Sequence, residues 1–234
     1  MVQWWTLNHE VNMKLSKETL ALLKNFSMIN INLLLVPGNT LSTKSSKKTI
    51  AATAQVPETF DTEFGIYDLP EFLGALSLFE SPIIEFGDKF ATITEEENVA
   101  HSIRFYNAER SLLVYLEDGV KYPDTYIDFD LSIEEYTATL KAASILKSDI
   151  IKFVGEDGNL YIQTGKEKQE ANMYRSLIGS TDRNFTAVMM TEHFKMLPKS
   201  YRVSLTSRGI SRFKDQNSEL TYYMAIDATK SRFN

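Results

Sequence analysis

The order of helical and strand-like segments constrains this chain most, because the same order occurs twice along its 234 residues. In each half, a helix with one apolar face is followed by several short strand-like segments, then by a second helix and more such segments. The length suits either one large domain or two domains of about 100–120 residues each. The pattern therefore predicts an α+β chain made of two similar halves.

Capping residues mark where the predicted helices begin. Ser16 and Ser132 precede segments with an apolar face, and both are suitable N-caps. Asp68 is followed three residues later by Glu71, which makes an Asp version of the capping box. A shorter fourth helix stops before Pro198. The predicted helices cover residues 16–26, 68–79, 132–147 and 191–197.

The stretch from residue 107 to residue 124 is irregular and separates the two halves. It contains an apolar patch, a Glu-Asp-Gly turn and a Tyr-Pro pair, a mixture that is typical of a connector. The predicted organisation is a non-native or disordered leader over 1–12, a first domain over 13–110, a connector over 111–124 and a second domain over 125–234.

The charge balance argues against an ordinary nucleic-acid-binding protein. The chain has 25 Lys and Arg residues against 31 Asp and Glu residues, so its formal net charge is −6, whereas nucleic-acid-binding domains usually carry an excess of basic residues. A basic surface can still exist in a chain that is acidic in total, because the distribution of charge matters more than its sum. The absence of cysteine excludes disulfides and cysteine–zinc sites. No apolar run approaches the roughly 18 residues of a membrane span.

No motif for catalysis or for a cofactor is present. His9, His101 and His193 are not spaced as metal ligands. The ten glycines form neither a nucleotide-binding loop nor a nucleophile elbow. Carboxylates brought together only by folding remain an alternative that sequence does not exclude. The sequence therefore predicts a protein without catalytic activity, metal or cofactor.

Lysines follow one stripe of the first predicted helix. Lys14, Lys17, Ala21 and Lys24 are spaced by three, four and three residues, so they share a face that is turned away from the apolar one. The third and fourth predicted helices carry lysines as well. A solvated lysine face explains any one of these helices, but three of them in an acidic chain indicate cations gathered on a helical surface. The candidate residues are Lys14, Lys17, Lys24, Lys141, Lys147, Lys195 and Lys199.

Two stretches of the first half resemble the DNA sliding clamps of T-even-type bacteriophages. The first contains MKLSKET, LLKNF and IN within residues 13–30, and the second contains IYDL, FLG and LSL within residues 66–78. Weaker similarity continues at Tyr122-Pro123, through the third helix and over residues 196–201. The second half matches the family mainly in its layout.

The resemblance implies a DNA-clamp fold, in which each of two similar domains packs two helices on curved antiparallel sheets. It implies that three subunits join head to tail in a homotrimeric ring around double-stranded DNA, with the helices lining the hole. It also implies a clamp-loader ATPase that opens the ring, a polymerase tethered through its C-terminal peptide, and action in the cytoplasm of an infected bacterium. No membrane association is expected.

The candidate lysines suit this implied function. Lysines that face a central hole attract phosphates without reading bases, which is the non-specific and salt-sensitive mode of DNA binding. A base-specific contact is worth about 1–3 kcal/mol and would hold the ring at preferred sites. The lysine stripes are therefore the predicted DNA-binding residues.

The connector is the predicted site for a partner peptide. Residues 112–116 are too apolar for an ordinary surface link, and a peptide groove needs apolar anchors. An edge strand that closes the first domain explains the same residues equally well. The candidate partner-binding residues are Val114, Leu116, Tyr122, Pro123, Tyr223 and Met224.

The alternative functions are a non-clamp DNA-binding protein and a protein-interaction module without catalytic activity. A single-strand binder interleaves aromatic and basic residues along its strands, and here only Arg104-Phe105-Tyr106 follows that pattern. Residues 1–12 precede the point where the family pattern starts and contain Trp4 and Trp5. The expectation is that Met13 is the true initiator.

Overall fold

A computed structural model describes residues 12–166 and 172–234 of the chain. Its three α-helices in those ranges are α1 (Lys17–Ile29), α2 (Leu69–Leu76) and α3 (Ile133–Leu146). The strands in the same ranges are β1 (Asn12–Met13), β2 (Leu33–Leu35), β3 (Gly38–Lys44), β4 (Ile50–Phe60), β5 (Phe64–Ile66), β6 (Pro82–Phe86), β7 (Phe90–Glu95), β8 (Asn98–Tyr106), β9 (Ile127–Leu131), β10 (Ile150–Glu156), β11 (Asn159–Gly165), β12 (Met173–Ser180), β13 (Phe185–Met190), β14 (Tyr201–Leu205), β15 (Ile210–Asp215), β16 (Thr221–Ala225) and β17 (Arg232–Phe233).

The chain forms two compact units. The first consists of the residues up to Leu41 together with Val56–Tyr115, and the second consists of Ser42–Gln55 together with Leu116–Asn234. The second unit thus takes a segment from within the predicted first domain. The reason is strand pairing, because Ile50 of β4 pairs with Met224 of β16 and extends a sheet of the second unit.

The sheets of both units are antiparallel. The first unit has a four-stranded sheet in the order β1-β6-β7-β8 and the two-stranded pair β2-β5. The second unit has a five-stranded sheet in the order β12-β11-β10-β13-β17. A six-stranded sheet has the order β3-β4-β16-β15-β14-β9. The α+β class predicted from the sequence is confirmed.

Local signals identified the starts of the three helices correctly. The Ser16 hydroxyl accepts a hydrogen bond from the Thr19 amide at 3.1 Å, and Asp68 accepts one from the Glu71 amide at 2.9 Å. Ser132 and Glu135 form a complete capping box. Helix α1 continues three residues beyond the predicted end at residue 26, whereas α2 ends at Leu76, before the predicted residue 79. No helix in the described ranges is long and apolar enough to cross a membrane.

The predicted fourth helix is wrong in extent. Of residues 191–197, only Thr191–His193 form a single 3₁₀ turn. The backbone carbonyls that follow are satisfied by tyrosine hydroxyls: Tyr136 donates to the Met196 carbonyl at 3.1 Å, and Tyr201 donates to the Leu197 carbonyl. The last four carbonyls of a helix have no partner within it, so these hydroxyls satisfy groups that a helix ending at residue 197 would also leave open.

The same tyrosines belong to the core of the second unit. The rings of Tyr136 and Tyr201 meet edge to face at 5.9 Å, and the Tyr201 ring also contacts Phe213 at 6.3 Å. Phe153 joins this cluster through Phe213 at 6.2 Å. All four side chains are buried, and burial raises the pKa of both tyrosines above the ordinary value. The cluster positions α3 against the sheets that it covers.

Candidate functional sites

Helix α1 separates its apolar and basic faces. Leu22, Leu23 and Phe26 are buried, whereas Lys17 and Lys24 are exposed. The exposed stripe of α1 also includes Ala21 and Met28. Lys14 is exposed as well and lies three residues before Lys17, where the helix begins. The structure therefore places the first predicted lysine stripe at the surface.

Glu58 of β4 fixes the start of α1. Its carboxylate accepts hydrogen bonds from the Ser16 amide and from the hydroxyl of Thr19, which is fully buried. Burial opposes the charge on Glu58, but these hydrogen bonds outweigh that effect and hold its pKa below the usual range. A negative charge at a helix N-terminus is also favoured by the helix dipole. No local pattern in the sequence reveals Glu58, because it lies 39 residues from Thr19.

Lys14 forms an ion pair with Glu96 at 2.5 Å. Both side chains are about half exposed, so the pair is screened by water and contributes little to stability. Lys14 can therefore exchange this partner for another anion at low cost.

Helix α3 presents a shorter basic segment. Lys141 is exposed, and its neighbour Ile145 on the same face is 70% exposed. Lys147 is the C-cap, in the left-handed conformation with φ of 50°. It lines a cleft of about 510 Å³ together with Lys166 and Lys230, two lysines outside the predicted set. The basic end of α3 is thus broader than the sequence pattern indicates.

The last two candidate lysines differ in their surroundings. Lys195 is exposed just after the 3₁₀ turn. Lys199 instead forms a 2.6 Å ion pair with Asp215, whose side chain is 1% exposed. Burial opposes the charge on Asp215, but the bonds from Lys199 and Ser218 outweigh it and lower its pKa. Because removing one partner of a buried pair is costly, Lys199 has a structural task that its place in the sequence does not reveal.

An apolar cavity of about 200 Å³ lies in the second unit. The connector contributes Leu116 and Val120 to its lining, and strand β16 contributes Tyr223 and Met224. Its other apolar walls are Ile50, Ala51 and Ile210. Lys44 and Lys48 from the β3–β4 hairpin also line it.

Tyr122 stands beside this cavity. Its ring lies 6.1 Å from that of Tyr223, its hydroxyl donates to the Ser204 carbonyl at 2.7 Å, and the Arg212 guanidinium lies 4.6 Å above the ring. Burial is the main cause that raises the pKa of Tyr122 to about 12. The hydrogen bond to Ser204 and the ring contact with Tyr223 fix the position of Tyr122 beside the cavity.

Comparisons with known proteins agree with this geometry. Residues 16–112 match the family model described as DNA polymerase processivity factor. The chain is 29% identical over 224 residues to the sliding clamp of Vibrio phage KVP40, and the match covers 92% of this chain and 100% of that protein. It is 27% identical to the sliding clamp of Escherichia phage RB69, with 92% and 97% covered.

The chain is thus similar over most of its length to the sliding clamps of these phages. Its fold is the clamp fold, since it superposes on A. fulgidus PCNA, solved with the C-terminal region of FEN-1 bound, with a TM-score of 0.69. That match covers 92% of this chain and 98% of the other at 11% identity. The resemblance and the fold stated from the sequence are confirmed.

Three of the six candidate partner-binding residues meet at one cavity. They are Leu116, Tyr223 and Met224, with Tyr122 next to them. Pro123 and Val114 do not line the cavity. The backbone of Val114 is bonded to two asparagines, accepting from Asn30 and donating to Asn32.

The edge-strand alternative for residues 112–116 is wrong. The connector forms a 3₁₀ turn at Arg110–Leu112 and no strand between Tyr106 and Ile127. Side chains rather than a neighbouring strand satisfy the backbone at Val114. The connector therefore leaves the apolar residue Leu116 available to line the cavity.

Proposed function

We propose that this clamp subunit assembles with two further copies into a closed ring that encircles duplex DNA and tethers a DNA polymerase there. The observation that carries the proposal is the similarity to proteins named sliding clamp, which spans 92% of this chain and all of the KVP40 protein. The protein is an accessory factor without catalytic activity that works in the cytoplasm of an infected bacterium. A clamp-loader ATPase opens the ring.

Two long edge strands support ring closure. Within the described ranges, β8 ends the four-stranded sheet of one unit and β12 ends the five-stranded sheet of the other. Both carry exposed apolar side chains, with Tyr106 71% exposed on β8 and Leu177 57% exposed on β12. Unpaired edges with apolar side chains tend to pair with another chain. Pairing of β8 in one subunit with β12 in the next is a head-to-tail contact, which closes a ring.

The exposed lysines of α1 and α3 support non-specific DNA binding. Lys17, Lys24 and Lys141 are exposed on helices whose other faces are buried. Their ammonium groups act as point charges toward phosphates and carry no base-reading geometry. We assign these three lysines to the surface that faces DNA, with Lys14, Lys147 and Lys195 as weaker contributors.

The cavity beside Tyr122 supports the tethering of a polymerase through its C-terminal peptide. A few buried apolar contacts supply most of the affinity of such a peptide, and Leu116, Ile210 and Met224 provide them here. The A. fulgidus clamp, which has the same fold, binds the C-terminal region of FEN-1. Leu116→Asp therefore abolishes peptide binding and leaves the ring intact.

A charge-matched pair of triple variants tests the DNA-binding surface. Lys17, Lys24 and Lys141 are changed to Ala in one protein, and the exposed residues Lys89, Lys121 and Lys214 are changed to Ala in the control. Binding to two unrelated duplexes is measured by fluorescence anisotropy over a series of salt concentrations. The first variant binds both duplexes more weakly, and its dependence on log salt concentration becomes shallower by roughly one for each phosphate that is no longer neutralised.

Two results contradict this assignment. One is a loss of affinity confined to a single duplex sequence, which indicates base readout. The other is an equal loss of affinity in the control variant, which indicates a general effect of net charge. The mass of the assembly is measured for each protein, so that a failure to form the ring is not mistaken for weaker binding to DNA.

A further inference from the structure

Two lysines stand at the edge of the peptide cavity in a chain that is acidic in total. Lys44 and Lys48 line the cavity, and no Asp or Glu is among the described residues that line it. The whole chain has a formal net charge of −6. The cavity therefore combines an apolar lining with two positive charges. Binding of purely apolar side chains does not require such charges.

The β3–β4 loop is built so that these lysines keep their positions. The Ser45 hydroxyl accepts hydrogen bonds from the amides of Thr49 at 3.1 Å and Ile50 at 3.2 Å, and the Ser45 carbonyl accepts one from the Lys48 amide at 2.8 Å. The Thr49 carbonyl in turn accepts from the Ala225 amide at 2.8 Å. Lys48 has a φ of 57°, a left-handed conformation that this network holds. The loop is thus tied to β16, which forms another wall of the cavity.

A third lysine of the same loop provides an internal contrast. Lys47 is exposed and does not line the cavity. Its charge acts instead on His193, whose pKa is lowered first by burial and then by Lys195 and Lys47, against the opposing effect of Glu192. Lys44 and Lys48 therefore differ from Lys47 in where their charges act, although all three lie within five residues.

We propose that Lys44 and Lys48 select a partner peptide that carries acidic side chains next to its apolar anchors. This inference rests on the proposed function, since it specifies the chemistry of the peptide that the cavity accepts. Two ammonium groups from separate positions of the loop match two acidic side chains better than the single carboxylate of a chain end. Opposite charges at the rim of an interface speed association and exclude peptides of the wrong charge.

Three amidated twelve-residue peptides test the selection. All share one Leu and two Phe anchors, and the two residues beside the anchors are Asp in the first peptide, Asn in the second and Lys in the third. Binding is measured by fluorescence anisotropy at low salt with the unaltered protein and with the double variant Lys44→Gln/Lys48→Gln. The variant Lys47→Gln is the matched control from the same loop.

The unaltered protein binds the Asp peptide about fivefold more tightly than the Asn peptide, which is the size expected of two exposed ion pairs. The Lys peptide binds most weakly. The preference disappears in the double variant, persists in Lys47→Gln, and shrinks as salt is added. Unchanged mass of the assembly in each variant shows that the fold is retained.

The outcomes separate this inference from the proposed function. Equal binding of the Asp and Asn peptides overturns the selection by Lys44 and Lys48, yet leaves the cavity as the peptide site if Leu116→Asp abolishes both. A preference that persists in the double variant also overturns the selection. If a free C-terminal carboxylate on the Asn peptide restores the full affinity of the Asp peptide, the charge recognised is the chain end. If no peptide binds, the cavity itself is not the peptide site.

Discussion

Helices α1 and α3 are the first helices of the two halves of the chain. Different side chains form hydrogen bonds to their first turns. At the start of α3, Ser132 and Glu135 cap each other within one turn, and the Ile133 amide donates to the Ser200 hydroxyl at 3.1 Å. The start of α1 depends on Glu58, which reaches it from strand β4. Both helix starts therefore combine a local cap with a tertiary contact, which is a carboxylate at α1 and a hydroxyl at α3.

The second helical positions differ even more. Residues 69–76 form α2 in the first unit, whereas residues 191–193 form only one 3₁₀ turn in the second. In the second unit, the hydroxyls of Tyr136 and Tyr201 donate to the Met196 and Leu197 carbonyls that follow this turn. The two halves of the chain thus share a layout, although different hydrogen bonds stabilise it in each half.

The largest effect is expected at Tyr136. Tyr136→Ala removes a fully buried ring and lowers the free energy of unfolding by about 3–5 kcal/mol. Tyr136→Phe removes only the hydroxyl that bonds the Met196 carbonyl at 3.1 Å, and costs about 1–3 kcal/mol. Urea unfolding at one fixed protein concentration measures both, because assembly makes stability depend on concentration. A neutral Tyr136→Phe contradicts the expectation that this hydrogen bond stabilises the second unit.

A smaller effect distinguishes the two anchors. Glu58→Ala leaves the buried Thr19 hydroxyl and the Ser16 amide without their carboxylate, and costs about 1–3 kcal/mol. Glu135→Ala removes one part of a local cap and costs about 0.5–1 kcal/mol. Amide hydrogen exchange at the first turns of α1 and α3 locates each loss of stability. Equal costs, or fraying of the wrong helix, argue against the larger role assigned to Glu58.

The distance along the chain between interacting residues explains which features could be predicted from the sequence alone. Ser16, Asp68 and Ser132 were identifiable because a cap acts within three residues of the chain. The task of Lys199 was not, because its partner Asp215 is 16 residues away and its burial depends on the folded sheet.

The cavity could be predicted only in part. Apolar composition identified Leu116 and Met224 as candidate walls. The remaining walls depend on the register of β4 against β16, which pairs Ile50 with Met224. No local pattern includes Lys44 or Lys48 in this site, because the hairpin that carries them reaches the cavity only through that strand pairing.

The smallest expected effect is the pH dependence of stability. The pKa of His193 is lowered in the folded protein, so the unfolded chain takes up a proton first as pH falls. The stability contributed by neutral His193 is therefore complete above the ordinary value of 6.5 and is lost as pH falls below it toward the folded value. Glu58 and Asp215 also have lowered pKa values, so their contributions are present above 4.5 and 3.8 respectively and are lost at more acidic pH.

The variant His193→Gln distinguishes the pH range governed by His193 from the more acidic range governed by Glu58 and Asp215. The variant is expected to have a flatter stability profile just below pH 6.5 and an unchanged loss of stability in the acidic window. Urea midpoints at closely spaced pH values provide the measurement. A profile identical to that of the parent protein just below pH 6.5 shows that His193 is not the group responsible.

The most direct test of the central claim is the mass of the native assembly in solution. Size-exclusion chromatography with multi-angle light scattering is applied at micromolar concentration, with and without a variant that replaces the exposed Leu177 of β12 by Lys. We predict three times the subunit mass for the unaltered protein and a shift toward the mass of one subunit for Leu177→Lys, since a charge at that edge opposes strand pairing. A single-subunit mass for the unaltered protein contradicts the ring.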